Sequence, residues 1–374
     1  MIKLYIPDNF AENENIDSIF TELANKIYED SSIKAISYTY HGETKEFSSV
    51  DDVKTFLVAK NFYEYKFYDN SPFLNDLFKL QGRTNIKSVL MDKTKNLSIK
   101  NFWNNYPKGE YSDDYNQLNN YNGLTIAKAK AKYNKKVKEK KDKIEKAISY
   151  TFFKGYRAKF LTALNIPVCP YCNMNYILNY NKKGKQKNGA DIDHFYIKSK
   201  YPEYSLCLYN FIPSCTVCNE RIKHENNMTR ETHVYPYDEG FNDYDSHFEI
   251  TNLTECLIDK YEKAKVIIAN PTNNPKVNTQ ITDMCLNDLY ANLNYKAKEL
   301  INKAQMYHEV YVGSLASTLN GLLDKNKLKT MVFGPNLTEE EYGKRSLGKY
   351  EHDLLCQLDV FDDSNQYKEN KNNN

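Results

Sequence analysis

Nowhere in this sequence does an apolar run approach the ~18 residues that a bilayer-spanning helix needs. The opening MIKLYIPDNF also lacks the basic stretch followed by an apolar one that marks a secretory leader. Neither a membrane partner nor secretion is therefore expected, and a cytoplasmic protein is. An excess of one charge is missing too. The 51 basic and 49 acidic residues leave a formal net charge of +2, so bulk charge cannot argue for a nucleic-acid partner and local patches must decide. There is no Walker-type G-x-x-x-x-G-K-[ST] loop, so nucleotide sensing would have to come from a partner protein or an unfamiliar pocket. No internal repeat is visible, and Trp103, which occurs in a loop-rich stretch, is the one tryptophan; packing is its simplest role.

With 374 residues there is room for two or three domains. Residues 1–90 alternate short β-like and helical patterns and read as a small α/β module of unknown role. Residues 91–164 read as a connector, rich in Asn, Asp, Gly and Tyr over 95–123, followed by a helical pattern from Leu124 to about Leu164. Within it AKAKAKYNKKVKEKKDKIEK holds ten lysines against three acids, a stripe that fits either a solvated helix face or contact with phosphate backbone. Residues 165–235 carry the chemistry, 236–360 read as mainly helical, and the polar tail 361–374 is expected to be disordered. The fold class expected is α+β.

Eight cysteines in so long a chain suit metal ligands and buried thiols better than a disulfide framework. VCPYCNMNY carries Cys169 and Cys172 in the spelling of a redox centre, yet redox chemistry needs a thiolate at a helix N-terminus. Here a helical stretch precedes the pair, and an alternating, strand-like stretch follows it. SCTVCNERIK repeats the spacing with Cys215 and Cys218, and two such pairs suit a closed, tetrahedral four-cysteine zinc site. Cys207, between the pairs, has no spaced partner and reads as a small buried hydrophobe.

The gap between the pairs holds more than a zinc clip requires. Asp193 and His194 set a hard oxygen ligand beside a side chain suited to act as a base near neutral pH. Asn219 follows Cys218 directly, with Lys223 one helical turn later. Asp191 shares a strand face with Asp193 and could assist a metal or serve structure alone. His224 is an alternative ligand that should point elsewhere round the helix, whereas His233 and His247 read as structural.

D-I-D-H, then Y-N-F-I-P-S-C-x-x-C-N-x-x-x-K, framed by C-P-Y-C, resembles the HNH nuclease family. More narrowly it resembles the HNH proteins with a four-cysteine zinc site that accompany ATPase partners in bacterial anti-phage systems such as Septu. That resemblance covers about residues 165–235. It implies a ββα-metal finger in which strands around Asp191–Phe195 and Asn210–Ile212 pack on a helix over about Thr216–Asn226, stapled by zinc and embedded in a largely helical body. It further implies an endonuclease in which Asp193 and Asn219 ligate a catalytic divalent ion, His194 is the general base, and Asn210 orients the finger. Asn219 stands where many members have His. Two hard oxygen donors favour Mg²⁺ or Mn²⁺ there. Lys223 fits a phosphate contact or a solvated face equally well. DNA is the first expected substrate and RNA an alternative. The competing readings are a zinc-clipped nucleic-acid-binding or adaptor protein without catalysis, and a thiol–disulfide exchanger.

Overall fold

The computed structural model describes residues 1–30, 32–68, 126–259, 262–319 and 322–361. The connector at 95–123 with Trp103, and the tail beyond Phe361, lie outside those residues. The described chain mixes helices with two-stranded antiparallel sheets, an α+β arrangement. No described helix is long and apolar enough to cross a membrane.

Helix α1 (Glu14–Glu29) buries Ile16, Ile19, Phe20, Leu23 and Ile27, whose spacing of three and four sets them on one stripe. Strands β1 (Ser37–Tyr40) and β2 (Glu43–Glu46) form a hairpin through His41 and Gly42, at φ 49° and 82°. Two successive positive φ angles give the primed turn whose twist matches that of paired strands. Helix α2 (Val50–Val58) starts at Ser49, whose hydroxyl accepts from the Asp52 amide while the Asp52 carboxylate accepts from the Ser49 amide. Helix α3 (Ile126–Ala147) turns Tyr133, Ile144 and Ala147 inward and leaves lysines exposed along its length, from Lys128 to Lys146.

The helical pattern does not run unbroken to Leu164. After α3 comes a 3-10 turn, Tyr150–Phe153, and then α4 (Arg157–Leu164). The Ser149 hydroxyl accepts from the Thr151 amide at 3.3 Å, offering the backbone a local partner in place of the helical ladder, and Gly155 weakens the helix further on. Helix α4 ends on Asn165 in the left-handed region, φ 48°, two residues before Pro167.

Four more strands lead into and through the candidate site. Strands β3 (Asn179–Lys182) and β4 (Lys185–Asn188) form an exposed hairpin, and β5 (Asp191–His194) pairs with β6 (Phe211–Ser214). A short helix, Val217–Lys223, follows β6. Further along, β7 (His247–Ile250) pairs with β8 (Val266–Ala269), with α5 (Leu253–Ile258) between them. Helices α6 (Pro275–Asp283), α7 (Leu286–Ala291), α8 (Asn294–Met306), α9 (Glu309–Thr318), α10 (Lys325–Phe333) and α11 (Gly348–Gln357) complete the described chain. Helix α11 supplies partners to the edge of β7: Asp353 accepts from the Phe248 amide at 2.9 Å, and Gln357 accepts from the Ile250 amide at 2.8 Å. Buried edge amides are thereby satisfied by side chains rather than by a third strand.

The chain forms two compact units that interleave in sequence. One comprises Met1–Ile19, Phe153–Lys200 and Leu208–Asn374; the other comprises Phe20–Phe152 and Tyr201–Cys207. Segments 1–90 and 165–235 each contribute to both. Within the second unit, Phe47, Phe56, Tyr65 and Phe67 cluster with Tyr38. The segment Tyr201–Cys207 is seated there by hydrogen bonds. Tyr204 donates to the Tyr65 carbonyl at 2.9 Å, Ser205 to the Ile148 carbonyl at 2.7 Å, and Tyr68 to Glu203 at 2.7 Å.

Burial pushes the Glu203 carboxyl up to about 7, against the opposing pull of the Tyr68 hydroxyl and of Lys141 and Lys66. A raised carboxyl pKa means that the folded state keeps a proton the unfolded chain has lost, so stability falls as pH rises from about 4.5 to about 7. Glu203→Gln retains an acceptor for Tyr68 and removes the titration. It is expected to flatten this decline, whose full size is roughly 3 kcal/mol at 1.36 kcal/mol per unit. Urea unfolding of both proteins at pH 5 and pH 7.5 measures it, and an equal decline in both excludes Glu203 as the cause.

Candidate functional site

VCPYCNMNY folds back on itself. Val168 and Tyr176 form one antiparallel bridge, the Cys169 amide donates to the Asn175 carbonyl at 3.0 Å, and the Asn173 amide donates to the Cys169 carbonyl at 2.8 Å. The turn closes because Asn173 takes φ 49°, a conformation that asparagine tolerates better than most residues. Its buried side chain donates to the Tyr342 carbonyl at 2.8 Å and accepts from the Lys349 amide at 3.1 Å. Tyr290 donates to the Cys172 carbonyl at 2.5 Å. The alternation in NMNYILNYN therefore yields a knuckle and a bridge, and a strand begins only at Asn179.

This knuckle brings Cys169 and Cys172 to Cys215 and Cys218, with the four sulfurs all within 4.8 Å of one another and all buried. None is in a disulfide. A tetrahedral metal with bonds of ~2.3 Å to sulfur sets its ligands ~3.8 Å apart, so the cluster has the right dimensions and the right donors. Asn175 Nδ2 and the Cys218 amide both point at the Cys215 sulfur, at 3.3 and 3.4 Å. Burial pushes the Cys169 thiol up, so four thiolates in this place need a cation among them. Four buried cysteines so disposed can hold a structural metal such as zinc. No helix starts at Cys169 or Cys172, so neither thiol has the dipole that a redox pair uses to lower its pKa.

In the β5–β6 hairpin Asp193 faces Ile212 and His194 faces Phe211 across the pair. Asp193 is 5% exposed and His194 8%. The His194 ring meets the Phe211 ring nearly edge-on, centroids 5.3 Å apart. Asn210, fully buried, donates to the Tyr196 carbonyl at 3.1 Å and accepts from the Tyr196 amide at 2.8 Å, while its own carbonyl accepts from the Phe195 amide at 3.0 Å. The backbone leaving His194 is thus held on three counts by one residue.

Asp193 has a partner at each oxygen. Tyr171, which lies between Cys169 and Cys172, donates its hydroxyl to Oδ2 at 2.5 Å; Lys223 donates to Oδ1 at 2.8 Å and to the His194 carbonyl at 2.6 Å. Tyr171 and Lys223 are 0% and 1% exposed. Lys223 therefore sits on neither the solvated face nor the phosphate-contacting one that its sequence context left open. The physical reason lies in the helix. The His224 amide bonds to the Asn219 carbonyl, five residues back, so the coil is wider than an α-helix and Lys223 turns inward while Asn219 stays half-exposed. The helix ends at His224, φ 41°, and is shorter than the Thr216–Asn226 span implied by the resemblance.

Among the described residues the Asn219 side chain makes no hydrogen bond, and His224 is exposed. Asp191 accepts from Arg157 at 2.8 Å through Oδ1, and its buried Oδ2 has no partner. His233, 2% exposed, spans Thr232 and Asp283 at 2.8 and 3.1 Å, and burial holds its pKa low. His247 bonds the Asp245 carbonyl, and Cys207 is buried in the other compact unit. A cavity of about 340 Å³ between Lys3–Pro7, the Ala163–Pro167 turn and Glu340–Lys344 contains none of these residues. Tyr171 and Arg157 were not singled out in the sequence; the one available signal was the enforced burial of a tyrosine between two candidate metal-ligand thiols.

No family model, curated protein or solved structure matches the chain.

Two outcomes follow from this geometry. Purified protein is expected to hold about one zinc per chain by atomic emission, and Cys215→Ser to lose it with a fall in Tm, since a buried cluster short of one thiolate no longer closes its coordination sphere. Asn210→Ala removes the two side-chain hydrogen bonds to the Tyr196 amide and carbonyl and is expected to cost about 1–3 kcal/mol in denaturant unfolding. A loss within error of zero would show that water replaces the Asn210 side chain.

Proposed function

We propose that this chain is a metal-dependent HNH endonuclease that hydrolyses phosphodiester bonds in nucleic acid, DNA first of all. We place it among the effectors of bacterial anti-phage defence, with an ATPase partner and a cytoplasmic setting. The observation that carries this reading is the order of elements around one clamp. The Asp193–His194 strand pairs with the strand that follows Asn210, and that second strand leads through Cys215 into the helix bearing Cys218 and Asn219.

Asn219 and Asp193 are the hard oxygen donors that would hold a divalent ion such as Mg²⁺ or Mn²⁺. The Asn219 side-chain oxygen makes no hydrogen bond among the described residues, and each Asp193 oxygen spends one lone-pair direction and keeps another. When bound, such an ion supplies positive charge to the phosphorane and to the departing 3′-oxygen. His194, as a neutral imidazole, takes the proton of the attacking water. Asn210 keeps the backbone after His194 from drifting, and Phe211 limits the tilt of the ring. The exposed lysines of α3 supply phosphate contacts that are blind to sequence.

Purified protein with Mg²⁺ and plasmid, alone and with proteins that co-purify from its native context, is expected to cut. His194→Ala is expected to lose at least 10²-fold in rate, and equal cutting by both would sink the proposal. The same assay on RNA separates the two substrates. For α3, Lys136, Lys140 and Lys143 changed together to Gln are expected to reduce the slope of log K against log salt by about 2–3 for duplex DNA. An unchanged slope removes this face from the substrate path.

A further inference from the structure

We propose that Tyr171 and Lys223 are positioning residues that aim the Asp193–His194 pair, and that Tyr171 is the link by which the four-cysteine clamp sets the geometry of the catalytic strand. This rests on the nuclease reading for its consequence in catalysis, but not for its structural content. Tyr171 is covalently fixed between two sulfurs of the cluster, and its hydroxyl reaches Asp193 Oδ2 at 2.5 Å. Lys223, on the helix that begins beside Cys218, reaches Asp193 Oδ1 at 2.8 Å and the His194 carbonyl at 2.6 Å. The carboxylate is therefore gripped from both halves of the clamp, and the same ammonium holds the backbone of the residue proposed as base.

The groups involved have little freedom to do anything else. Tyr171 is fully buried, and Lys223, among the largest side chains enclosed in the protein, is 1% exposed. A buried ammonium is tolerated where a carboxylate and further acceptors compensate it, and here Asp193 and the His194 carbonyl do so. Rotation of Asp193 would break two contacts and leave both partners buried without them. Its orientation is therefore over-determined, and a catalytic strand needs that if the base is to stay within a fraction of an ångström of its water. Neither Tyr171 nor Lys223 has a surface through which to touch substrate, so their effect passes through Asp193 and His194.

The test compares the zinc-loaded full chain with Tyr171→Phe, Lys223→Met, Asp193→Asn and the Tyr171→Phe/Asp193→Asn double variant, with zinc content and near-ultraviolet circular dichroism reporting integrity. Tyr171→Phe removes one oxygen and keeps the ring. It is expected to keep its zinc, to lose about 10–100-fold in kcat with KM within about twofold, and to shift the His194 ring signal in a ¹H–¹³C spectrum. The His194 signal is the one missing in His194→Ala. In the double variant the loss is expected to be no greater than in Asp193→Asn alone, because the hydroxyl acts only through that carboxylate. Tyr171→Phe with unchanged kcat and an unmoved His194 signal overturns the proposal, as do losses that multiply in the double variant. If the wild type cuts no nucleic acid but the His194 signal still moves in Tyr171→Phe, the nuclease reading fails while the positioning stands. If Tyr171→Phe sheds its zinc, Lys223→Met decides on the same two readouts, with unchanged values again overturning the proposal.

Discussion

Four sulfur atoms held within 4.8 Å of one another, away from water, are the constraint on which the rest of the site depends. Burial alone opposes a lone thiolate there, so the four sulfurs can all be thiolates only around a cation. A cation held there would join the knuckle after α4 and the segment that follows β6 into a single rigid piece, although long stretches of chain separate them. The hydrogen bonds from Asn173 to Tyr342 and Lys349, and from Tyr290 to Cys172, carry that rigidity into the helices of the C-terminal half.

Asp193 converts this rigidity into a direction. A carboxylate at 5% exposure is costly unless paired and hydrogen-bonded, and both conditions are met by residues that the clamp itself positions. The lysine that compensates it also fixes the His194 backbone, and Asn210 fixes the residues after it. The pair is therefore held by side chains from three separate stretches of sequence, none of which is adjacent to it in the chain. A site assembled in this way is precise because each support is itself buried, and fragile because removing one leaves the others with unmet polar groups.

Much of this was legible in the residues. The two C-x-x-C pairs announce their cluster because thiolate ligands come with a spacing that geometry imposes, and the strands Asp191–His194 and Phe211–Ser214 overlap the stretches that the resemblance implied, the second running two residues further. The helix beyond Cys218 was also legible, but not its width. Hydrogen bonds spanning five residues instead of four turn Lys223 from the surface to the interior, and residue type carries no trace of that choice. The run from Leu124 to Leu164 looked continuous because helical periodicity survives a short break, while the Ser149–Thr151 contacts that cause the break are local and chemically ordinary. Interleaving of the two compact units was likewise invisible, since the insertion Tyr201–Cys207 is held by the Tyr204, Ser205 and Glu203 side chains through partners far away in sequence.

What the sequence determined by itself is local: which residues can ligate a soft metal, which offer hard oxygens or an imidazole, where turns close on Gly or Asn, and which helix carries the lysines. These follow from side-chain chemistry and from periods of two and of three to four, which are properties of short windows. What only the tertiary structure decided is which of those groups are buried together. Tyr171, Asp193 and Lys223 are unremarkable apart; packing brought them within hydrogen-bond reach in the buried interior, and there desolvation makes each necessary to the other two.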